Sequence, residues 1–258
     1  MQLKKISYNL RLLFLETFRS RITLLLLILL PAVFYIIAIY TTSTVPILIK
    51  IASAPGNGVF LIEPREIGLI YIGLAATGFI ASFFAMNLMQ KNTMAKKRQI
   101  LCGYTIFELC LSKFLLILTV VMFLGIYTSL LGIILMDPKH IPGIVLGYIL
   151  CGFVYGSFGL LAGAVFNREL EGILVIVLLA NLDIGWLQNP IFYAAAPGKM
   201  IIRYLPGFNP SQVAIVSAFT DFTAGRQVLL SLMYGSLFLV ISMIIFGIKM
   251  KMLSGSRS

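Results

Sequence analysis

Apolar stretches long enough to cross a membrane recur along this chain from Ile22 onward. A transmembrane helix needs about 20 mainly apolar residues, and stretches of this kind lie near residues 22–41, 67–88, 114–136, 143–166, 172–187 and 228–248. Only 11% of the residues are charged, against about a quarter in soluble domains, which excludes an ordinary soluble enzyme. The sequence therefore predicts an all-α polytopic membrane protein with six transmembrane helices in a single domain, residues 1–258.

The first apolar stretch is too long and too rich in leucine for the core of a signal peptide, so we expect it to be retained. Of the 20 Lys and Arg residues, 14 lie in the segments on the side of the two termini. Cytoplasmic loops carry the excess of Lys and Arg, which predicts a multi-pass protein of the plasma or inner membrane with both termini in the cytoplasm. The net charge of +11 is thus a topology signal, and we expect no nucleic-acid partner.

Residues 1–21 are typical of an amphipathic helix lying at the membrane interface. Six apolar residues share one face at helical spacing, and these are Leu3, Ile6, Leu10, Leu13, Phe14 and Phe18. Four polar residues lie opposite them, namely Lys5, Asn9, Glu16 and Arg19. Such a helix places its basic residues near anionic lipid, and it serves either as a membrane anchor or in docking a partner.

Residues 89–113 encode a helical hairpin on the cytoplasmic side. A basic run containing Lys97 and Arg98 continues the second span into the cytoplasm. Gly103 can adopt the left-handed conformation that ends a helix, and Thr105 with Glu108 forms a capping box that starts the next one. A hairpin of this shape can press into a groove on a soluble partner, while the alternative is a solvated basic loop.

These residues resemble the first cytoplasmic loop of the ABC-2 type permease family, the membrane subunits of many ATP-driven exporters. That loop often has a leucine, a proline two residues later, a Ser or Thr, a Glu three residues later and a Lys five residues after that. Thr105, Glu108 and Lys113 match the last three positions. Gly103 stands where proline is common, and Leu101 lies one residue further away than in the family.

The resemblance implies two kinds of protein partner, a cytoplasmic ATP-binding-cassette ATPase and a second permease subunit that is either identical or a paralogue. The chain has no GxxxxGK[ST] phosphate loop, so we expect no enzymatic activity and no cofactor here, with ATP and Mg²⁺ bound by the ATPase. The residues expected to couple the chain to that ATPase are Lys97, Arg98, Leu101, Gly103, Tyr104, Thr105, Phe107, Glu108, Arg168 and Glu169.

Residues 188–227 form an irregular segment before the last span. Prolines at 190, 197, 206 and 210 interrupt apolar runs that are each too short to cross a membrane. Short apolar helices of this kind are typical of re-entrant segments, and the resemblance implies an extracellular gate. The alternative is an ordinary loop on the membrane surface.

Asp183 is the only acidic residue well inside a predicted span. An intramembrane carboxylate is a functional candidate by default, for a proton relay or a cationic substrate, but it can equally cap a helix or accept a structural hydrogen bond. The aromatic and polar residues Phe79, Phe83, Phe84, Asn87 and Tyr127 are further candidates for a substrate path, with packing as the alternative.

Several other residues are expected to be structural. Gly152, Gly156, Gly159 and Gly163 recur at spacings that allow close helix approach, within the subunit or at a dimer seam. The single histidine, His140, is expected in a solvated outer loop, which excludes a multi-histidine metal site. The three cysteines, at 102, 110 and 151, lack paired spacing and are expected to be packing thiols.

The leading hypothesis is a permease subunit of an ATP-driven exporter that moves an amphipathic or hydrophobic substrate such as a peptide, an antibiotic or a lipid. The predicted spans offer almost no fixed charge with which to select a hydrophilic ion. The alternatives are a proton-coupled secondary transporter and a membrane immunity or scaffold protein. The scarcity of ionisable residues in the spans argues against the proton-coupled carrier.

Overall fold

The chain is mainly helical in the computed structural model, which describes residues 2–53, 59–91, 98–100 and 102–255. The helices are α1 (Gln2–Arg19), α2 (Arg21–Thr41), α3 (Pro64–Gln90), α4 (Ile106–Ile134), α5 (Ile141–Val165), α6 (Glu169–Ala180), α7 (Pro190–Ala195), α8 (Lys199–Arg203), α9 (Phe208–Phe219) and α10 (Gly225–Gly255). A π-helical segment, Asn181–Leu187, continues α6. A two-stranded antiparallel sheet, β1 (Ile47–Lys50) and β2 (Val59–Ile62), follows α2.

Six of the described helical segments are long and apolar enough to cross a membrane, as the sequence predicted. They are Arg21–Thr41, Pro64–Gln90, Ile106–Ile134, Ile141–Val165, Glu169–Leu187 and Gly225–Met250. The third begins at Ile106 and not near residue 114, because the capping box at Thr105 starts one continuous helix. The chain is therefore a multi-pass membrane protein.

Helices α3 and α5 form the centre of the bundle. Of the residues in their apolar segments, 67% are buried, against 22% in α2 and 17% in α10. The outer helices α2 and α10 therefore expose apolar side chains along most of their length. This difference is expected when lipid or another membrane chain covers the outer helices.

The glycine series of α5 explains the close contact of α5 with the neighbouring helices. A Cβ atom at Gly152 would meet Val121 of α4, and one at Gly163 would meet the Met86 backbone of α3. Gly159 lies against the Ser82 backbone, also in α3. The prediction of packing within the subunit is confirmed, and these contacts leave no room for the dimer-seam alternative at the same positions.

A buried polar network joins the first four spans. The Tyr35 hydroxyl donates to the Thr128 carbonyl oxygen at 2.9 Å and lies 3.0 Å from the Tyr148 hydroxyl. Tyr148 in turn donates to the Ile70 carbonyl oxygen at 3.1 Å. Since buried polar groups in hydrocarbon need partners, this network fixes α2, α3, α4 and α5 relative to one another.

The small sheet is an element that the sequence analysis did not predict. Leu48 lies opposite Leu61 across the two strands, and both side chains are exposed. The β-branched runs on either side of Pro55-Gly56-Asn57-Gly58 carried a hairpin signal. The strands are as apolar as the neighbouring spans, so composition alone does not distinguish them from membrane helix.

Helix α1 forms as predicted, but one residue of its polar face differs from the prediction. Asn9, expected on the polar face, is 4% exposed and packs against α4. Phe18, on the predicted apolar face, is 63% exposed, as expected of a side chain that contacts lipid. The prediction was wrong at Asn9 because it considered only lipid and water as the surroundings of the helix.

Two further expectations need correction. Lys113, at the end of the segment for which a solvated basic loop was one interpretation, has a buried side chain, with Nζ 3.6 Å from Met89 Sδ and 4.9 Å from the ring centre of Phe246. Cys102 is exposed in the turn after residue 100, whereas Cys110 and Cys151 are buried thiols as expected. None of the three cysteines forms a disulfide.

The irregular segment of residues 188–227 contains the short helices α7, α8 and α9. Pro190 starts α7, where its missing N–H is not needed, while Pro210 lies in the first turn of α9 and does not interrupt it. Residues 208–218 of α9 are all buried, and α9 packs mainly against α5 and also contacts α10 and α3. Part of this segment is therefore an internal element of the bundle.

Candidate functional site

The turn of the hairpin has the backbone geometry that the sequence predicted. Gly103 has a φ of +84°, in the left-handed region that favours glycine. The Glu108 backbone N–H donates to Thr105 Oγ1 at 3.2 Å, and the Thr105 N–H donates to Glu108 Oε2 at 2.8 Å. This reciprocal pair is a capping box, so the helix start is confirmed.

The predicted coupling residues differ in what they can offer a partner. Arg98 is exposed, and Phe107 is 60% exposed at the start of α4. Glu108 is only 3% exposed, so its carboxylate shapes the turn and presents little surface. Lys97 and Leu101 lie outside the described residues.

Helix α1 is attached to the hairpin by hydrogen bonds that the sequence analysis missed. Lys5 Nζ donates to the Gly103 carbonyl oxygen at 2.6 Å and lies 5.5 Å from the ring centre of Tyr104. The Lys5 ammonium thus binds the turn twice, through a carbonyl oxygen and through the face of an aromatic ring. The N-terminal helix and the hairpin are one packed unit on this side of the bundle.

Asn9 makes the buried part of the same attachment. Its Nδ2 donates to Ser112 Oγ at 2.5 Å, and its Oδ1 accepts from Gln99 Nε2 at 3.1 Å. One side chain therefore connects α1 to both arms of the hairpin. No residue near Asn9 in the sequence signals this role, because its partners lie about a hundred residues away.

Asn9→Ala is expected to loosen α1 from the hairpin, because it leaves Ser112 Oγ and Gln99 Nε2 without this partner. Losing a buried hydrogen-bond partner costs about 1–3 kcal/mol. Limited proteolysis of the purified chain should show faster cleavage between α1 and α2 in this variant. Ser7→Ala, an exposed change two residues away on the same helix, should leave the cleavage rate unchanged, and equal rates for both variants would contradict the attachment.

The predicted second contact lies next to the end of α3. Asn87 Nδ2 is 3.5 Å from Glu169 Oε1, and Gln90 Nε2 donates to the Phe166 carbonyl oxygen at 3.1 Å. Arg168 is exposed, with its Nε 4.0 Å from Glu171. The loop between α5 and α6 is thus held against the helix that leads into the hairpin.

Four of the predicted path residues lie together in one cavity. This cavity, called the lateral groove below, has a volume of about 260 Å³ between α1, α2 and α3. Its lining residues are Glu16, Thr17, Ser20, Thr23, Leu26, Leu27, Leu30, Phe79, Ile80, Phe83, Phe84, Asn87, Leu88 and Lys91. The contributions of α1 and α2 were not predicted, since the pairing of α2 with α3 depends on contacts between distant residues.

Tyr127 and Asp183 do not belong to this groove. The Tyr127 hydroxyl donates to the Ile28 carbonyl oxygen at 2.9 Å, on another side of α2. Asp183 lies in the π-helical segment and is fully buried. Two of the six candidate path residues thus lie outside the lateral groove.

Asp183 is the acceptor at the centre of a buried cluster. Its Oδ2 accepts from the Tyr155 hydroxyl at 2.6 Å and from the Gly207 backbone N–H at 2.6 Å. Its Oδ1 accepts from Gln188 Nε2 at 2.5 Å. The carboxylate thereby joins α5, the π-helical segment and the start of α9, which favours the structural interpretation.

His140 lies just before α5, in the loop after α4, where the prediction of an exposed position is confirmed. Its Nε2 is 3.5 Å from Asp221 Oδ1, and Lys139 Nζ is 2.8 Å from Asp221 Oδ2. The Lys139 ammonium holds the pKa of the Asp221 carboxyl below its ordinary value, with a smaller contribution from His140. These side chains connect the two loops that flank α5 and α9.

Compared with protein-family models and with curated proteins, the chain matches none. Among the residues that the structure describes, no three His, Cys, Asp or Glu side chains are grouped closely enough to hold a metal ion. Function must therefore be inferred from the geometry of the chain itself.

Proposed function

We propose that this chain is the membrane-spanning permease subunit of an ATP-driven exporter. The observation that carries the proposal is the hairpin turn between the second and third spans, which is held in place by α1. Its turn is fixed by a capping box and by Lys5 of α1, and it exposes Arg98 and Phe107. A turn that leads directly into α4, the third span, is suited to pass the movement of a soluble partner into the membrane.

In this proposal ATP hydrolysis takes place on separate cytoplasmic ATPase subunits, which bind ATP and Mg²⁺. A second permease subunit, identical or paralogous, completes the pathway. The excess of Lys and Arg on the side of the termini supports a cytoplasmic location for both termini. The short helices α7 to α9 act as the outer cap of the pathway, supported by the burial of α9 within the bundle.

The cargo in this proposal is amphipathic or hydrophobic. The lateral groove contains four of the candidate path residues and is lined mainly by Leu, Ile and Phe. Such a lining offers dispersion contacts and apolar burial but few sites for a hydrophilic ion. Peptides, antibiotics and lipids with an apolar part all satisfy this requirement.

The test is recovery of an ATPase with the tagged chain. Reversing the charge of the hairpin with Lys97→Glu and Arg98→Glu is expected to lower recovery of the ATPase about tenfold, because two attractive contacts become repulsive at the interface. The matched control is Lys4→Glu with Arg11→Glu, which makes the same charge change on an exposed face of α1. Quantitative mass spectrometry of the purified complex measures the recovery.

Equal loss in both double variants would indicate general attraction between a basic surface and an acidic partner, and would remove the hairpin from the contact. Full recovery and full transport in the hairpin variant would contradict the coupling role. Phe107→Ala adds an independent check, since it removes an exposed aromatic contact without changing charge. We expect it to lower recovery less than the double reversal does.

A further inference from the structure

The lateral groove is polar at one end and apolar along the rest of its length. Along α2 the lining changes from Ser20 and Thr23 to Leu26, Leu27 and Leu30. Along the antiparallel helix α3 it changes in the same direction. There Lys91 and Asn87 lie at the polar end with Leu88 between them in sequence, and the rest of the wall is apolar, with Phe84, Phe83, Ile80 and Phe79. Both walls therefore have the polarity profile of an amphiphile that lies along them.

The length of the groove matches one leaflet of a bilayer. From Ser20 to Leu30 helix α2 advances about 15 Å at 1.5 Å per residue. This is about half of the hydrocarbon thickness of about 30 Å. An acyl chain entering from the polar end would end near the middle of the membrane.

Among the described residues that line the polar end, Lys91 and Glu16 carry charges of opposite sign. Lys91 Nζ lies 2.9 Å from Glu16 Oε1, and the two side chains are 50% and 38% exposed. Thr17, Ser20, Thr23 and Asn87 add hydroxyl and amide groups around this pair. A ligand bearing both an anion and a hydrogen-bonding cation can exchange the Lys91–Glu16 ion pair for two new pairs, one with each side chain.

We propose that the lateral groove binds a zwitterionic phospholipid whose head contains a primary ammonium, the phosphoethanolamine class. One acyl chain lies among the Leu and Phe side chains of α2 and α3. The phosphate contacts Lys91, and the ammonium donates to the Glu16 carboxylate. The lipid enters sideways from the leaflet that faces the chain termini.

The chemistry of the polar end distinguishes this head group from related ones. A phosphocholine head has no N–H to donate to Glu16, and quaternary ammonium ions are recognised by aromatic cages, whereas the groups around Glu16 and Lys91 are hydroxyls and an amide. A phosphoglycerol head carries only negative charge, so it would gain from Lys91 but would face the Glu16 carboxylate. The phosphoethanolamine head satisfies both charges.

This inference deepens the proposed function, because it names the class of cargo for the groove that contains the candidate path residues. Only the statement that the lipid is transported rests on the proposed function. Binding itself needs no ATPase and no ATP. A failure to bind and a failure to recover an ATPase are therefore separate results.

The binding experiment uses the purified full-length chain, delipidated in detergent, and native mass spectrometry with three added phospholipids. The lipids have identical acyl chains and phosphoethanolamine, phosphocholine or phosphoglycerol heads. We expect a one-to-one adduct that forms about threefold to tenfold more readily with phosphoethanolamine, a modest factor because the ion pair is half exposed. Equal adducts with all three lipids, or a preference for phosphoglycerol, would overturn the proposal.

Neighbouring leucines of α2 provide a matched pair of variants for locating the bound lipid. Leu26 lines the groove and is 44% exposed, whereas Leu25 is 57% exposed and is not among the lining residues. Leu26→Trp fills the groove and is expected to lower adduct formation about tenfold or more, since the pocket loses its volume. Leu25→Trp adds the same bulk outside the groove and should keep the adduct, so equal behaviour of the two variants would overturn the assigned location.

Charge variants test the head-group contacts separately. Glu16→Gln is expected to reduce phosphoethanolamine binding to the level of phosphocholine, because the acceptor for the ammonium becomes neutral. Lys91→Gln should weaken binding of all three lipids, since all three contain the phosphate. A Glu16→Gln variant that still prefers phosphoethanolamine would show that the ammonium does not contact Glu16.

Discussion

Gly159→Ala is expected to lower the melting temperature of the detergent-solubilised chain by about 5 °C or more, as overpacking costs about 1–3 kcal/mol when side chains can adjust and more when backbone is involved. A Cβ atom at this position would lie 2.6 Å from Ser82 Cα and 2.7 Å from the Ser82 carbonyl carbon. Backbone atoms cannot rotate out of the way as side chains can. The only relief is separation of α5 from α3, the two central helices.

The cysteines of the chain provide the measurement. Cys110 and Cys151 are buried and Cys102 is exposed, so a thiol-reactive fluorescent dye reports unfolding once Cys102 is replaced by serine. The matched control is Gly247→Ala in α10, where the nearest atom to an added Cβ is Ile106 Cγ2 at 4.0 Å. That change should be neutral or stabilising, because alanine favours a helix over glycine by about 1 kcal/mol. Equal melting temperatures for both variants would contradict the close approach at Gly159.

The features that were predicted correctly from the sequence are those encoded by neighbouring residues. Six apolar runs of sufficient length predicted six spans, and Thr105 with Glu108 predicted the start of α4. Gly103 predicted the left-handed turn, because glycine adopts a positive φ more easily than other residues. In each case the residues that determine the local structure are the same few consecutive residues that adopt it.

The features that were missed depend on pairs of residues far apart in the chain. Asn9 looked like part of a solvated face, because nothing near it in sequence indicates that Ser112 lies 2.5 Å away. Lys113 looked cytoplasmic because positive residues flank spans, yet its stem and ammonium are buried between helices. Sequence periodicity describes what faces outward from one helix, but it does not say which neighbour covers that face.

The candidate path residues also divide into those that neighbouring residues predicted and those that depend on contacts between distant helices. Phe79, Phe83, Phe84 and Asn87 were found together because they share one face of one helix. Tyr127 and Asp183 come from other helices and lie elsewhere. The polar end of the groove, with Glu16 and Lys91, was not predicted, since it forms only where α1 meets the end of α3.

Asp183→Ala is expected to prevent stable packing of α5, the π-helical segment and α9 against one another. It removes the acceptor of three donors, the Tyr155 hydroxyl, Gln188 Nε2 and the Gly207 backbone N–H. Each buried donor left without a partner costs about 1–3 kcal/mol, and no bulk water reaches a fully buried site to replace the lost acceptor. The thiol-dye melting assay should therefore show a large loss of stability.

Asp183→Asn separates this structural role from proton coupling. The asparagine Oδ1 can take the place of the Asp183 oxygen that accepts from Tyr155 and Gly207. The new amide N–H can donate to Gln188 Oε1, which has no hydrogen-bond partner among the described residues, once the Gln188 amide has turned over. That rotation sacrifices the longer bond from Gln188 Nε2 to the Ile202 carbonyl oxygen at 3.3 Å, so the variant should keep most of its stability and most of its transport.

Transport assays on vesicles then distinguish the two mechanisms. ATP-dependent efflux that survives Asp183→Asn would support the exporter and confine Asp183 to joining α5, the π-helical segment and α9. Uptake or efflux driven by an imposed pH gradient without ATP, and abolished by this substitution, would favour a secondary transporter. We expect the first result, because every group described in hydrogen-bond contact with the carboxylate is a neutral donor, whereas a relay across about 30 Å of hydrocarbon needs a series of groups that exchange protons.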